Sequence, residues 1–349
     1  MVGSVTMPEL NVAIIGCGHV AHDHMKAWRR IPRVQVSAVY DVNVKVAEQF
    51  SRQWSIPKIY SDLESLLNDK EISVIDICTP PQTHRDLGIR SMKAGRHVLF
   101  EKPLAMTVKE ADEIIHQKTH DVKAGVVYNL LFEPPILKLI SIVEEGHIGQ
   151  TINVRIDMLH TRYDPMLTNE KHWCHHLPGG RIGEMLIHPI YMLRYFLGDN
   201  LEVSSVEAYK LGPYPWVSKD ELHVLLRAEE KLGRIYVSFN SPRDAIYVTI
   251  IGDKGILEAE VITGVVVKLD SLYASSRYGK VRSIIKESYQ MIASLITNSI
   301  KVISHRWITG HQQCIRLFAE WLMNEKRYPF PVESVLRDVE ILEKICKKL

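Results

Sequence analysis

Over the first 130 residues the chain alternates short apolar runs with amphipathic stretches. The apolar runs are bounded by turn residues and predict buried strands, and the stretches between them have apolar residues at helical spacing. Strands that alternate with helices are typical of a parallel, doubly wound α/β sheet. The predicted strands are 12–15, 34–40, 74–77, 97–100 and 124–128.

Two of these helical stretches begin with a capping box. In such a box a hydroxyl and a carboxylate three residues later satisfy each other's backbone N–H groups. The two boxes pair Ser61 with Glu64 and Thr107 with Glu110. They predict that a helix begins at each of these places.

The pattern changes after about residue 129. Longer strand-like runs follow one another there, often without an intervening helix, which predicts a mostly antiparallel α+β sheet. The predicted strands are 151–159, 201–209, 223–228, 233–239, 246–251, 255–260 and 265–269, and the predicted helices are 133–145, 183–197, 281–303, 310–325 and 332–348. We therefore expect two domains, 1–128 and 129–349, with the C-terminal helix able to pack back on the first.

Composition fits an ordinary globular protein. The chain has 349 residues, of which 46% are hydrophobic and 24% are charged, and its net charge is +2. This charge gives no bulk attraction to nucleic acid, so nucleic acid is not an expected partner. Five scattered cysteines without CxxC spacing argue against a disulfide framework and favour the cytoplasm. No secretory signal is recognisable among the first ten residues.

The first apolar run ends in Gly16-x-Gly18-x-x-Ala21. In a dinucleotide-binding motif the first glycine allows a tight turn, the second lets the backbone approach a pyrophosphate, and a small third residue lets helix and strand pack closely. The pyrophosphate is then expected on the N–H groups at the start of the helix, at His19 and Val20.

An acidic residue closes the second predicted strand. Asp41 lies twenty residues beyond Ala21, directly after the run 34–40. A carboxylate at this place can hold both ribose hydroxyls and would repel a 2′-phosphate. The sequence therefore predicts NAD rather than NADP.

Polar motifs follow two further strands. Cys78 to His84 follows the strand 74–77, and Glu101-Lys102-Pro103 follows the strand 97–100. Both motifs lie at the sheet edge where ligands bind in such folds. A lysine there can hydrogen-bond a substrate hydroxyl or share in proton transfer. A surface Glu–Lys pair before a turn is the alternative interpretation.

A candidate acid–base pair lies in the second half. Glu184 and His188 are four residues apart in a predicted helix, so they share one face of it and can point into one cleft. Imidazole suits general acid–base catalysis near neutral pH. The alternative for His188 is an ordinary core histidine.

The segment His172-Trp173-Cys174-His175-His176 is dense in potential metal ligands. Adjacent side chains cannot all point to one tetrahedral centre, so we predict no metal. The histidines could instead meet polar groups of a sugar, and a solvated loop is the alternative.

These motifs together resemble the glucose–fructose oxidoreductase / inositol dehydrogenase / rhizopine-catabolism (Gfo/Idh/MocA) family. The resemblance rests on the glycine motif, on Thr79-Pro80-x-x-x-His84, and on the stretches 94–105 and 179–188. It implies an N-terminal Rossmann domain and a C-terminal α/β domain with a large open sheet. That sheet would support a homodimer or homotetramer. The implied chemistry is oxidation or reduction of a sugar or polyol carbinol with a nicotinamide cofactor.

The resemblance also assigns residues. It places Lys102 against nicotinamide and substrate, Pro80 and His84 in the loop beside nicotinamide, Asn129 at the domain crossover, and Trp173 on a covering loop. The complete prediction names Lys102, His188 and Glu184 as catalytic; Gly16, Gly18, His19, Val20, Asp41, Thr79, Pro80, His84, Glu101, Lys102 and Asn129 as cofactor-binding; and Lys102, Tyr128, Trp173, His176, Glu184 and His188 as substrate-binding.

Three positions depart from the family pattern. Leu131 stands where the family usually has arginine, Arg181 replaces a third glycine, and Glu184 replaces an aspartate. These changes bear on the residues nearest the substrate, so no particular substrate is predicted.

The predicted helix around 281–303 is apolar and has basic residues at its flanks. Packing between subunits or domains is the favoured interpretation. A membrane-surface or lipid-linked role is the alternative.

The sequence thus predicts a cytoplasmic NAD-dependent dehydrogenase acting on a CH–OH group of a sugar, polyol or nucleotide sugar. His188 would accept the hydroxyl proton while Lys102 polarises the oxygen, and Lys102 could instead be the base. Two alternatives are a reductase of a C=N bond or an unsaturated ring, and a non-catalytic regulator that senses NAD. The regulator would bind NAD without turnover.

Overall fold

The computed structural model describes residues 10–270, 277–304 and 306–349. Contacts between residues divide the chain into two compact units. The first unit is Met1–Asn129 with Gly310–Glu340, and the second is Leu130–Thr309 with Ile341–Leu349. The predicted second domain had included all of 129–349. In the structure, residues 310–340 belong to the first unit instead. They join it through contacts with residues far away in the sequence, which local periodicity cannot predict.

A parallel sheet forms the centre of the first unit. Its strands are β1 (Leu10–Ile15), β2 (Val34–Tyr40), β3 (Lys58–Tyr60), β4 (Val74–Ile77), β5 (His97–Phe100) and β6 (Ala124–Val126). Their order is β3-β2-β1-β4-β5-β6, and every neighbouring pair is parallel. This is the doubly wound Rossmann arrangement that the sequence predicted. The sequence did not predict β3, because three residues without a buried position carry no apolar pattern.

Helices alternate with these strands. They are α1 (His19–Trp28), α2 (Val44–Trp54), α3 (Leu63–Asn68), α4 (His84–Lys93) and α5 (Val108–Gln117). The predicted cap of α5 at Thr107 is confirmed, since the Thr107 hydroxyl accepts a hydrogen bond from the Glu110 N–H at 3.3 Å and donates to the Glu110 carboxylate at 3.0 Å. The box predicted for α3 is wrong by one residue. The Asp62 carboxylate caps this helix by accepting from the Ser65 N–H at 2.8 Å, since a carboxylate is as good a capping acceptor as a hydroxyl.

The second unit contains a sheet of seven strands. Its elements are α6 (Pro134–Glu144), β7 (Thr151–Thr161), α7 (Pro165–Thr168), α8 (Gly180–Leu197), β8 (Glu202–Tyr209), β9 (Glu221–Ala228), β10 (Lys231–Ser241), β11 (Ala245–Gly252), β12 (Gly255–Glu260), β13 (Val265–Asp270) and α9 (Arg277–Ile303). The order is β13-β12-β11-β7-β10-β9-β8. Only β7 and β10 pair in parallel. The predicted mostly antiparallel sheet is therefore confirmed, and α8 packs against β7 and β10.

Two helices complete the chain, α10 (Gly310–Leu322) and α11 (Leu336–Cys346). Helix α10 packs against α1 in the first unit. A short 3₁₀ turn, Val332–Val335, precedes α11, where the sequence predicted one continuous helix. Within the described ranges, no helix is long and apolar enough to cross a membrane. All five cysteines are buried and unpaired with one another.

Candidate functional site

The glycine turn joins β1 to α1 and lies against the residues that follow β4. Gly16 has a φ of +88°, and a Cβ at this position would lie 2.7 Å from Cγ2 of Thr79 and 2.8 Å from the carbonyl oxygen of Cys78. Both the backbone conformation and the close approach therefore require glycine. Thr79, predicted from its motif, is brought directly against the turn.

The start of α1 is open to a ligand. Gly18 occupies the capping position, and a Cβ there would meet no described protein atom within 4 Å. No described side chain caps this helix, and its first turn contains no acidic residue. The first backbone N–H groups, which include those of His19 and Val20, therefore suit an anion. This arrangement fits the pyrophosphate of a dinucleotide.

Asp41 lies beside the same turn. One carboxylate oxygen accepts from the Cys17 N–H at 2.8 Å, and the other accepts from the Asn43 N–H at 2.8 Å. Two backbone donors thus hold the carboxylate at the end of β2, which is where a ribose would follow the pyrophosphate.

His84 connects two loops at the same sheet edge. Its fully buried ring has Nε2 at 2.9 Å from the Thr79 carbonyl oxygen and Nδ1 at 3.0 Å from that of Pro103. Burial lowers the pKa of His84, so the ring is neutral and donates to one of these carbonyls at a time. Because the ring lies inside the protein, we interpret His84 as a residue that holds the Thr79 and Lys102 loops together.

A buried ionic network, which no sequence motif predicted, lies beside the backbone of Lys102. Nδ1 of His24 lies 3.0 and 2.9 Å from the two carboxylate oxygens of Asp76, and its Nε2 lies 3.0 Å from Oε1 of Glu101. The indole N–H of Trp28 donates to Asp76 at 2.6 Å. His24 and Asp76 are completely inaccessible to solvent. The network connects α1 with β4 and with the residue that follows β5.

The network is charged. Burial alone would lower the pKa of His24, but the Asp76 carboxylate raises it well above the usual value. Burial would raise the pKa of Glu101, but hydrogen bonds from His24 and His311 lower it well below the usual value. His24 is therefore an imidazolium between two carboxylates. Glu101 in turn accepts from the backbone N–H of Lys102 at 3.0 Å, so the network positions the backbone of that lysine.

Asn129 joins the same edge through His311. Its Nδ2 lies 3.5 Å from Nδ1 of His311, whose Nε2 lies 3.6 Å from Glu101. The amide oxygen of Asn129 is buried and has no hydrogen-bond partner in the described structure. A buried acceptor without a donor is costly, so this atom fits the prediction that Asn129 meets a ligand. His311 was missed because it belongs to α10, far along the chain.

Tyr128 differs from its prediction. Its side chain is completely buried, and its hydroxyl donates to Asp338 at 3.0 Å. The structure therefore gives Tyr128 a packing role in place of the predicted substrate contact.

Two sets of metal-ligand atoms lie within 4.8 Å of one another, His24 with Glu101 and His311, and His24 with Asp76 and Cys78. However, both ring nitrogens of His24 already bond carboxylates. Burial also raises the pKa of the Cys78 thiol to about 12, which disfavours the thiolate that binds metals. We interpret both sets as parts of the ionic network.

In the second unit α8 carries the predicted Glu184. Its carboxylate accepts from the Arg181 guanidinium, which also donates to Asp164 at 3.0 Å. Arg181 is 5% exposed and lies 5.0 Å from the ring centroid of Phe239. The arginine that departs from the family pattern thus holds Glu184 in place.

One turn further along α8, Tyr191 holds His188. Nδ1 of His188 lies 2.8 Å from the Tyr191 hydroxyl, which accepts from the Leu130 N–H at 3.2 Å. His188 and Glu184 are both largely buried. The sequence did not single out Tyr191, although its spacing of three from His188 places it on the same helix face.

The histidine-rich segment forms a short 3₁₀ turn, Trp173–His176, before α8. Cys174 is fully buried, and burial raises the pKa of its thiol to about 12. Trp173 is half-buried and His176 is exposed. Among the described residues, this segment does not bring three metal-ligand atoms within 4.8 Å of one another.

A Rossmann sheet with an uncapped glycine turn, an acid after β2 and a lysine at the end of β5 defines a dinucleotide-binding oxidoreductase. Residues 10–128 match the oxidoreductase family with an NAD-binding Rossmann fold, GFO/IDH/MocA, and residues 136–258 match the C-terminal domain of that family. The chain belongs to the GFO/IDH/MocA oxidoreductase family, and its first unit contains the NAD-binding domain.

Individual proteins are similar over different shares of the chain. The oxidoreductase YrbE of Bacillus subtilis is 29% identical over 72% of this chain and 74% of its own length. Myo-inositol 2-dehydrogenase of Thermotoga maritima is 28% identical over 55% of this chain and 56% of its own length. The WlbA dehydrogenase of Bordetella pertussis, solved with NADH and UDP-GlcNAcA, shares the fold with a TM-score of 0.78 at 17% identity, over 99% of this chain and 97% of that one.

Proposed function

We propose that this chain oxidises a carbinol of a sugar, polyol or nucleotide sugar with NAD⁺, and that it catalyses the reverse reduction. The observation that carries the proposal is the open glycine turn beside a strand end at which a buried network positions Lys102. Related proteins named as an inositol dehydrogenase and a dehydrogenase crystallised with a nucleotide sugar support this substrate class.

NAD supplies the acceptor for a hydride when it is bound. The N–H groups at the start of α1 would hold its pyrophosphate, Asp41 would accept from the ribose hydroxyls, and the Asn129 amide oxygen would accept from a donor of the cofactor. Thr79 and Pro80, on the loop that His84 holds, would lie against the nicotinamide. The Lys102 ammonium would donate to the substrate oxygen.

His188 would take the proton of the substrate hydroxyl. As the O–H bond breaks, its electron pair forms the C=O bond, and the C–H electron pair leaves with hydrogen as hydride. For Nε2 to act as the base, Nδ1–H must donate to the Tyr191 oxygen, and that bond then stabilises the imidazolium that forms. Glu184, Trp173 and His176 are proposed to contact the substrate.

We also propose how copies of the protein associate and in which compartment it works. The face of the seven-stranded sheet that bears the exposed Leu225 and Leu232 is proposed to join two or four copies. The buried, unpaired cysteines support a reducing compartment such as the cytoplasm.

The first test is turnover. Purified protein is mixed with NAD⁺, and separately with NADP⁺, against polyols, aldoses and nucleotide sugars, and the absorbance of reduced nicotinamide is followed. We expect NAD⁺-dependent turnover with at least one class. Tight NAD binding without turnover across the panel would favour the NAD-sensing regulator and count against the proposal.

The Asp41→Asn variant tests the cofactor choice. Asparagine keeps an oxygen that can accept from the Cys17 N–H but removes the negative charge. We expect the ratio of kcat/KM with NAD⁺ to that with NADP⁺ to fall by roughly tenfold or more, because like-charge repulsion of a 2′-phosphate disappears. Asp62→Asn, at the cap of α3, is the matched control. An unchanged ratio in Asp41→Asn would show that Asp41 does not select the cofactor.

A further inference from the structure

Helix α9 is amphipathic in the inverted sense. The residues of α9 that face its own unit are mostly small or polar, whereas its large apolar residues face outward beside exposed basic side chains. The inward set is Gly279, Ser283, Glu287, Gln290, Ser294 and Asn298, each at least half-buried. The outward set includes Val281, Ile284, Ile285, Ile292, Ile296 and Ile303. A helix that packs only on its own domain shows the opposite arrangement.

Side-chain amides fix the rotation of this helix. Gln290 accepts from the Lys268 N–H at 2.9 Å and donates to the Lys268 carbonyl at 3.0 Å. Asn298 donates to the Gly264 carbonyl at 2.8 Å. The Gln290 bonds cover the edge strand β13, whose backbone would otherwise be exposed at the end of the sheet, and the Asn298 bond holds the turn just before it. Turning the apolar face inward would break these hydrogen bonds, so they hold the apolar face outward.

The apolar surface is large. Ile285 is 63% exposed and Ile303 is 78% exposed. The 27 residues of α9 correspond to about 40 Å of helix. The surface continues into a cleft of about 590 Å³ beside the end of α9, lined in part by Ile246, Val261 and Trp307. Apolar surfaces of this extent mark an interaction site.

The charge around this face indicates what covers it. Residues 277–306 contain six basic residues and one acidic residue, whereas the whole chain has a net charge of only +2. A second copy of the same helix would bring two positive segments together, which costs free energy. An anionic lipid surface would instead pair with the basic residues and bury the apolar ones. Exposed Tyr278 and Tyr289 are of the type enriched at membrane interfaces.

We propose that α9 lies in the plane of an anionic membrane surface and binds the protein to it reversibly. The outward apolar side chains would enter the boundary between headgroups and acyl chains. Lys280, Lys301 and Arg306 would meet lipid phosphates. The sequence had favoured packing between subunits or domains, and the outward apolar face together with the excess of positive charge changes that interpretation.

The experiment is co-sedimentation of the full chain with phosphatidylcholine vesicles that do or do not contain phosphatidylserine. We expect sedimentation with the anionic vesicles, little with the neutral ones, and weaker binding at high salt. The Ile285→Ser/Ile296→Ser variant is expected to bind roughly tenfold more weakly or worse. Lys280→Glu/Lys301→Glu is expected to lose the preference for phosphatidylserine. Ile59→Ser/Leu211→Ser, at exposed apolar positions elsewhere, is the matched control.

Native mass in solution and NAD affinity are measured for each variant to show that it folds. Wild-type protein that stays in the supernatant with anionic vesicles would overturn the proposal. If Ile285→Ser/Ile296→Ser also lowers the native mass, a second copy covers the face. Equal loss of binding in the control pair would likewise contradict a role for α9. None of these readouts depends on dehydrogenase activity.

Discussion

Replacing Lys102 with alanine is expected to lower kcat by about 10³-fold while NAD binding persists. The ammonium group is proposed to polarise the substrate oxygen as its proton and the hydride leave, and a positioned acid–base group typically contributes ~10²–10⁴-fold. The backbone contacts of the site do not need this side chain, because Glu101 accepts from the Lys102 backbone N–H. The cofactor site should therefore survive.

The measurement is steady-state turnover on the best substrate of the panel, together with the Kd for NADH by fluorescence. Lys109→Ala is the matched control, since this exposed lysine lies on α5. The residual rate of Lys102→Ala should still fall at low pH, because His188, the proposed proton acceptor, is unchanged. If Lys102→Ala were nearly as active as Lys109→Ala, the Lys102 side chain would have no role in catalysis. A residual rate without a low-pH fall would indicate that the lysine is the base.

Replacing His24 with glutamine is expected to destabilise the protein by about 3–5 kcal/mol. His24 neutralises two carboxylates in a region without solvent, and removal of one partner leaves the buried charges of Asp76 and Glu101 uncompensated. The effect should extend to catalysis, because Glu101 bonds the Lys102 backbone. His22→Gln, on the same helix and half-buried, is the control. The His22 ring accepts from the Trp54 indole N–H at 2.9 Å, glutamine offers another acceptor, and the change should cost about 1 kcal/mol.

The loss of stability in His24→Gln should depend on pH. The raised pKa of His24 means that its contribution is fully present below the ordinary value of 6.5 and is lost as the pH rises through the higher folded pKa. The lowered pKa of Glu101 means that its contribution is present above 4.5 and is lost as the pH falls through the lower folded pKa. The stability difference between wild type and His24→Gln should therefore be largest between pH 4.5 and pH 6.5, the ordinary pKa values of the two groups.

Urea denaturation of both variants across this pH range measures the difference. A difference that does not change with pH would show that the network is not ionic. A loss no greater than that of His22→Gln would show that His24 is an ordinary packing residue.

Several parts of the site could be predicted because their signals are local. The glycine turn is recognised from three residues within one strand–helix junction. Lys102 is recognised because it follows a buried strand. His84 was correctly placed at the sheet edge, but its burial between two loops depends on Pro103, nineteen residues away. Tyr128 shows the same limit, because only the contact with Asp338 reveals that its hydroxyl is used inside the protein.

The amino-acid sequence by itself determined the strand–helix alternation, the dinucleotide motif with Asp41, and the helix that carries Glu184 and His188, since each is encoded in spacing along a short segment. Only the tertiary structure decided that His24, Asp76, Glu101 and His311 form one buried network, and that α9 turns its apolar face outward. The physical reason is that charge pairing and helix rotation depend on which distant side chains come together, and periodicity in the sequence does not specify these partners.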